Sequence, residues 1–132
     1  TAARHPIPPH SQKFLDLLQQ RILIIDGAMG TMIFSSAGDK FFGVCPQEKD
    51  YRGERYKDHS HALKNFNDIF CFVKPEMIEY IHTGYLDAGA DIIETSTFNA
   101  NSISMADYKM EHLVRELNHA AVAIAKRAAD AA

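Results

Sequence analysis

The sequence predicts an α/β fold that reads as the opening section of a larger barrel, and three observations carry that expectation. Two short apolar runs, "ILIID" at residues 22–26 and "ADIIETSTF" at residues 90–98, each end abruptly in polar residues. An amphipathic segment with proline at its start and glycine at its end lies between them. The resulting order is helix, strand, long loop, helix, strand, helix. Two strands joined by a helical crossover imply a parallel, right-handed βαβ unit, because parallel strands cannot be joined by a tight turn.

Each element has its own justification. "TAARHPIPPH" holds three prolines in ten residues, so residues 1–10 read as a flexible lead-in and the domain as residues 11–132. Ser11 is placed to cap a short leading helix, "QKFLDLLQQ", with Phe14, Leu15, Leu17 and Leu18 on its apolar face. "ILIID" is a continuous β-branched run of the kind that suits a strand buried on both faces. Periodicity fails over residues 35–74, and a connection that long is functional, disordered or built of short helices of its own. Pro75 suits the first position of the next helix, with Met77, Ile78, Ile81, Tyr85 and Leu86 on one side and Gly89 as its C′ residue. In the last segment Leu113, Leu117, Ala120, Ala121, Ile124 and Ala128 form a stripe at helical spacing. Two parallel strands with helices on one side leave edges and a face uncovered. The chain therefore reads as a truncated piece that stops where a third strand is due.

Composition narrows the function. The 132 residues carry 14 basic and 17 acidic side chains, a net charge of −3, with no basic block of the kind that grips nucleic acid. No apolar run approaches the roughly 18 residues a membrane span needs. Cys45 and Cys71 show neither a paired spacing nor a disulfide framework, which points to a reducing, cytoplasmic setting.

The chemistry concentrates at the two predicted strand ends. In "DGAMGT", Gly27 frees the backbone so that N–H groups near Ala28 can receive a carboxylate, while Asp26 can accept from an ammonium. That pairing suits an amino-acid zwitterion. A strand-ending turn with Asp26 as a helix cap explains the same residues. In "ETSTF", Glu94 closes a buried run and is costly there unless it is paired or meets a polar ligand. A solvated strand end with Thr95 and Thr97 bonded to the loop is the alternative. "DHSH", residues 58–61, offers two histidines one residue apart without a third ligand, which fits a surface or structural role better than a metal site.

Taken together, "ILIIDGAMGTMI", "DYRGERYKDHSHALKNFNDI" and the segment from "KPEMIEYIHTGYLDAGADIIETSTFNANS" to "AKRAAD" resemble the opening of the homocysteine-binding domain of cobalamin-dependent methionine synthases. The resemblance covers most of residues 21–130. It implies a (β/α)8 TIM barrel, of which this chain would supply the first two βα units after a leading helix. A complete barrel takes about 250 residues. It also implies that Asp26 and Glu94 bind the ammonium of homocysteine, that N–H groups around Gly27 and Ala28 take its carboxylate, and that Thr95 and Thr97 line the pocket. In that family a thiolate-bound zinc activates the homocysteine sulfur, and methylcobalamin supplies the methyl group. The paired zinc cysteines have no counterpart here, so neither cofactor is expected to bind this chain alone, and no catalytic residue is assigned. Ser96 stands where the family tends to have asparagine.

The implied whole enzyme is a homocysteine S-methyltransferase that makes methionine, with folate, cobalamin and activation domains as partners. The isolated chain is expected to be inactive and to self-associate through its open edges. Two further readings stay open: a stand-alone, non-catalytic α/β binding module, and a piece of a methyltransferase that uses betaine or S-methylmethionine.

Overall fold

The computed structural model describes residues 5–132, so the first four residues of the expected lead-in lie outside the described residues. Helix α1 (Pro9–Gln20) begins with a proline, whose missing N–H costs nothing in the first turn, two residues ahead of the expected Ser11 cap. None of its residues is buried, and Phe14, Leu15 and Leu18 face solvent.

The two expected strands do not form. The described residues hold helices but no strand and no sheet, and residues 22–26 and 90–98 share a single isolated parallel bridge, Ile25 to Ile92. The α/β class, and with it the opening pair of βα units of a (β/α)8 barrel, is overturned. The physical reason is visible in the hydrogen bonds. Asp26 N–H reaches Ile92 O at 2.9 Å, but the Ile24 N–H goes to the Asp91 side chain at 2.9 Å and the Glu94 N–H to the Asp26 side chain at 3.0 Å. Side-chain carboxylates thus take the donors that a ladder would use. Nor is the apolar run enclosed on both faces: Ile22 is 87%, Ile24 60% and Ile25 52% exposed. A bidentate pair, Arg21 to Asp91 at 2.6 and 2.8 Å, ties the two extended segments together just before the bridge. It holds the Asp91 carboxyl down at about 2, with help from the Ile24 N–H.

The core is helical. After α2 (Met29–Phe34), α3 (Ser36–Phe42) and α4 (Glu48–Arg52), a 3-10 turn (Asn67–Ile69) runs directly into α5 (Phe70–Val73). Helix α6 (Pro75–Asp87) packs on α8 (Val114–Ala131), with α5 against both, and α2 and α3 also touch α6. The short α7 (Ser102–Ala106) is capped by Asn101, whose side chain accepts from Ser104 N–H at 2.9 Å. Helix α6 follows its sequence signals. Pro75 is its first residue, Met77, Ile78 and Ile81 are buried, and Gly89 takes φ +104 just past its end. There Gly89 N–H reaches Leu86 O and Ala90 N–H reaches Tyr85 O, both at 3.0 Å, closing the helix with a Schellman pair. In α8 Leu117, Ala121, Ile124 and Ala128 are buried, as the stripe predicts.

Residues 35–74 contribute unexpectedly much of this core. Tyr51, Leu63, Phe66, Ile69 and Phe70 are essentially inaccessible. Full burial of such side chains stabilises by about 1.5–3 kcal/mol each. Phe70 packs on Tyr51 with ring centres 4.6 Å apart, and Phe66 stacks on Tyr108 at 4.7 Å. The charged stretch "YRGERYKDH" is ordered by ion pairs, as its composition permits. Arg52 meets Glu48 at 2.7 Å and also donates to His59 O at 2.7 Å and His61 O at 3.0 Å.

Candidate functional site

The two extended segments end on a shared cavity of about 620 Å³, within the usual range for small-molecule sites. One wall is residues 26–30, a second is residues 94–99, and the floor is Asn67 and Asp68 from the 3-10 turn. All six residues singled out in the sequence border it: Asp26, Gly27, Ala28, Glu94, Thr95 and Thr97. The structure therefore brings the two strand-end motifs together even though no sheet joins them.

Local chemistry fixes each wall. Asp26 accepts from the Glu94 N–H at 3.0 Å, so one wall holds the other by a side-chain to backbone bond. Among the described residues, the Glu94 carboxylate itself accepts no hydrogen bond and stays exposed. Tyr85, one turn from the end of α6, donates its hydroxyl to Ala28 O at 3.2 Å. Gly27 passes so close to that ring that a Cβ there would sit 3.1 Å from the Tyr85 oxygen. Helix α2 starts at Met29, so the N–H groups of its first turn border the cavity without intrahelical acceptors. The Thr95 and Thr97 hydroxyls are bonded to each other at 2.8 Å.

Asp68 was not legible as a site residue. Only 3% exposed, it accepts from Asn99 N–H at 2.6 Å and from the Ser96 hydroxyl at 3.3 Å. Burial raises its pKa, and those two hydrogen bonds partly offset the rise. The available signal was a carboxylate inside the apolar run "FNDIF", which is costly unless bonded. Asn67 and Asn99, also on the lining, carried no such signal.

The cavity is thus bordered by Asp26, Asp68 and Glu94, with no lysine or arginine on its lining among the described residues. It offers carboxylate to a cation and backbone N–H to an anion.

The homocysteine S-methyltransferase family model matches residues 23–132, which spans both walls and the floor. The chain belongs to the homocysteine S-methyltransferase family. Methyl transfer to homocysteine is the chemistry of that family.

The zinc of the resemblance finds no fitting donors among the described residues. Cys71 is buried, sits 3.7 Å from Ser96 O as a thiol donor, and is pushed up to about 12 by burial, the opposite of a metal-ready thiolate. Cys45 lies apart, as a partly exposed free thiol. His59 is occupied with Tyr108 O at 2.6 Å, and no group of three or more potential ligands gathers among the described residues. Among them, too, no helix is long and apolar enough to cross a membrane.

Proposed function

We propose that this chain carries the amino-acid end of the homocysteine site of a methionine-synthase-type enzyme, in which methylcobalamin is the methyl donor and methionine the product. The unbonded Glu94 carboxylate and the backbone of residues 26–30, on the lining of one cavity in a member of this family, carry the reading. Glu94 accepts from the substrate ammonium, and Asp26 holds Glu94 in place while its second oxygen remains available to the same ammonium. The N–H groups around Gly27 and Ala28 receive the carboxylate. Thr95 and Thr97 line the wall. The donor supplies an electrophilic methyl group to the substrate sulfur. The cavity suits an amino acid and is too small for a corrin, so no residue here is assigned to cobalamin.

No zinc-dependent step is derived for this chain, because Cys71 is held as a buried thiol and the other candidate ligands are scattered or engaged. Its own contribution is substrate binding and not turnover, in a reducing compartment that leaves both cysteines free. Titration of the full chain with L-homocysteine by calorimetry tests this. Saturable binding is expected, weakened at least about tenfold by Glu94→Gln, as loss of a charged hydrogen bond implies. No heat with the unmodified chain, or equal affinity in the variant, overturns the reading.

A further inference from the structure

Among the described residues, only one of the three carboxylates around the cavity has both oxygens bonded to protein donors, and it sits in a buried turn. Asp68 lies in the 3-10 turn that continues into α5, between Phe66, Ile69 and Phe70, all of them buried. One oxygen accepts from the Ser96 hydroxyl and the other from the Asn99 N–H. Three residues on, Cys71 presents its S–H to the Ser96 carbonyl. Ser96, itself 4% exposed, is thus gripped by side chain and by backbone from the same short segment.

Between the two anchor points lie Thr97 and Phe98. On the other side of Ser96 lie Thr95 and Glu94. Phe98 is 93% exposed, so burial of its ring does nothing to hold this stretch. Within the wall itself the bonds are local, Thr97 N–H to Thr95 O at 2.9 Å, Ala100 N–H to Thr97 O at 3.1 Å and the contact between the Thr95 and Thr97 hydroxyls at 2.8 Å. The far end is held by Asp26 through the Glu94 N–H.

We infer that Asp68, assisted by Cys71, is a positioning residue that clamps residues 96–99 and so sets the placement of Glu94, Thr95 and Thr97 for an amino-acid ligand. This rests on the cavity being the homocysteine site. Asp68 is buried, with each oxygen bonded to the wall, which suits holding the wall more than meeting the ammonium. A ligand gains by meeting a wall that is already ordered, because it does not have to offset the ordering entropy.

Two readouts on the full chain test the inference, amide hydrogen exchange at residues 96–99 without ligand and the dissociation constant for L-homocysteine. Asp68→Asn keeps the shape but turns an N–H donor toward the Asn99 N–H. It is expected to speed Asn99 exchange at least about tenfold and to weaken homocysteine about tenfold, the loss of roughly one well-made hydrogen bond. Glu94→Gln is expected to weaken homocysteine and leave Asn99 exchange unchanged, which separates holding the wall from touching the ligand. Ser96→Ala removes only the hydroxyl contact and should loosen the same amides to a smaller degree. It keeps the test decisive if Asp68→Asn does not fold. Unchanged exchange in the Asp68 and Ser96 variants overturns the clamp, as does unchanged affinity alongside faster exchange. If the unmodified chain binds no homocysteine, the functional reading falls, and the exchange rates still decide whether Asp68 holds the wall.

Discussion

Replacing Glu48 by alanine should cost this chain about 2–3 kcal/mol, far more than a surface glutamate usually contributes. The reason is its set of partners. The Glu48 carboxylate accepts from the Leu63 N–H at 2.9 and 3.0 Å, from the Lys64 N–H at 2.7 Å and from Arg52 Nε at 2.7 Å. Arg52 in turn holds the carbonyls of His59 and His61, so the pair staples residues 59–64 onto α4. Leu63 is fully buried, and an orphaned N–H there costs about 1–3 kcal/mol. The Lys64 N–H can turn to water and adds little. The ion pair is part-exposed, with 36% of the Glu48 side chain open to solvent, and adds at most about 1 kcal/mol. At this chain length the sum corresponds to a Tm lower by roughly 10 °C. Urea unfolding should show a lower midpoint at unchanged slope. pH supplies a second check. Burial pulls the Glu48 pKa up, but the Leu63 and Lys64 N–H groups and Arg52 outweigh it, and the net shift is below the ordinary 4.5. The stabilisation is then present above pH 4.5 and is lost as pH falls through the folded value, so the two proteins should converge in acid. Glu54→Ala is the control, because Glu54 is 96% exposed with only a 3.8 Å contact to Lys57. A Glu48→Ala loss under about 0.5 kcal/mol, or an equal loss in the control, would refute the reasoning.

Two further predictions concern single groups. His82 is fully buried on α6 and, among the described residues, neither ring nitrogen has a partner, so His82→Leu should be neutral or stabilising by up to about 1 kcal/mol. Burial lowers the His82 pKa against the opposing pull of Asp26 and Glu79, so the unfolded chain takes up a proton near 6.5 before the folded one does. Stability of the unmodified chain should therefore fall between pH 7.5 and 5.5, and the variant should lack that component of the slope; equal slopes in urea melts would contradict this. Gly89 and Gly84 give opposite signs for the same substitution. Neither has an atom within 4 Å of a new Cβ, but Gly89 sits at φ +104 and Gly84 inside α6. Gly89→Ala should cost about 1 kcal/mol or more while Gly84→Ala gains about 0.5–1 kcal/mol, and thermal shifts of the same sign would count against it.

What could be read from the sequence was what local chemistry decides. Helix α6 announces itself with Pro75, five apolar positions on one side and Gly89, and each signal acts within a few residues. The six candidate site residues came from the motif resemblance, since local chemistry alone left a turn and a solvated strand end as alternatives; the structure places all six around one cavity. Strand pairing was misjudged because it is not local. "ILIID" has the composition of a buried strand, but a ladder needs partner backbone, and here Asp91 and Asp26 divert the Ile24 and Glu94 donors. The buried contribution of residues 35–74 was hidden for another reason. Leu63, Phe66 and Phe70 do fall at spacings of three and four, but that run is short and Tyr51 lies outside it, because the segment is made of short turns held by side-chain to backbone bonds such as those of Glu48.

The same kind of bond explains how a cavity can be shaped without a sheet. In a parallel sheet, strand ends are placed by the ladder itself. Here Asp26 reaches across to the backbone of Glu94, and Asp68 reaches up to the backbone of Asn99, so carboxylates replace ladder bonds at the two ends of one wall. Two of the three acids around the cavity are therefore already committed to structure, and Glu94 is the one left with its full accepting capacity. The wall that presents Glu94 is itself held by Asp26 through the Glu94 N–H, so contact with the ligand and placement of the contact are not separable at Asp26. Substitutions at Asp26 and Glu94 share one interaction, and their effects on ligand affinity cannot add.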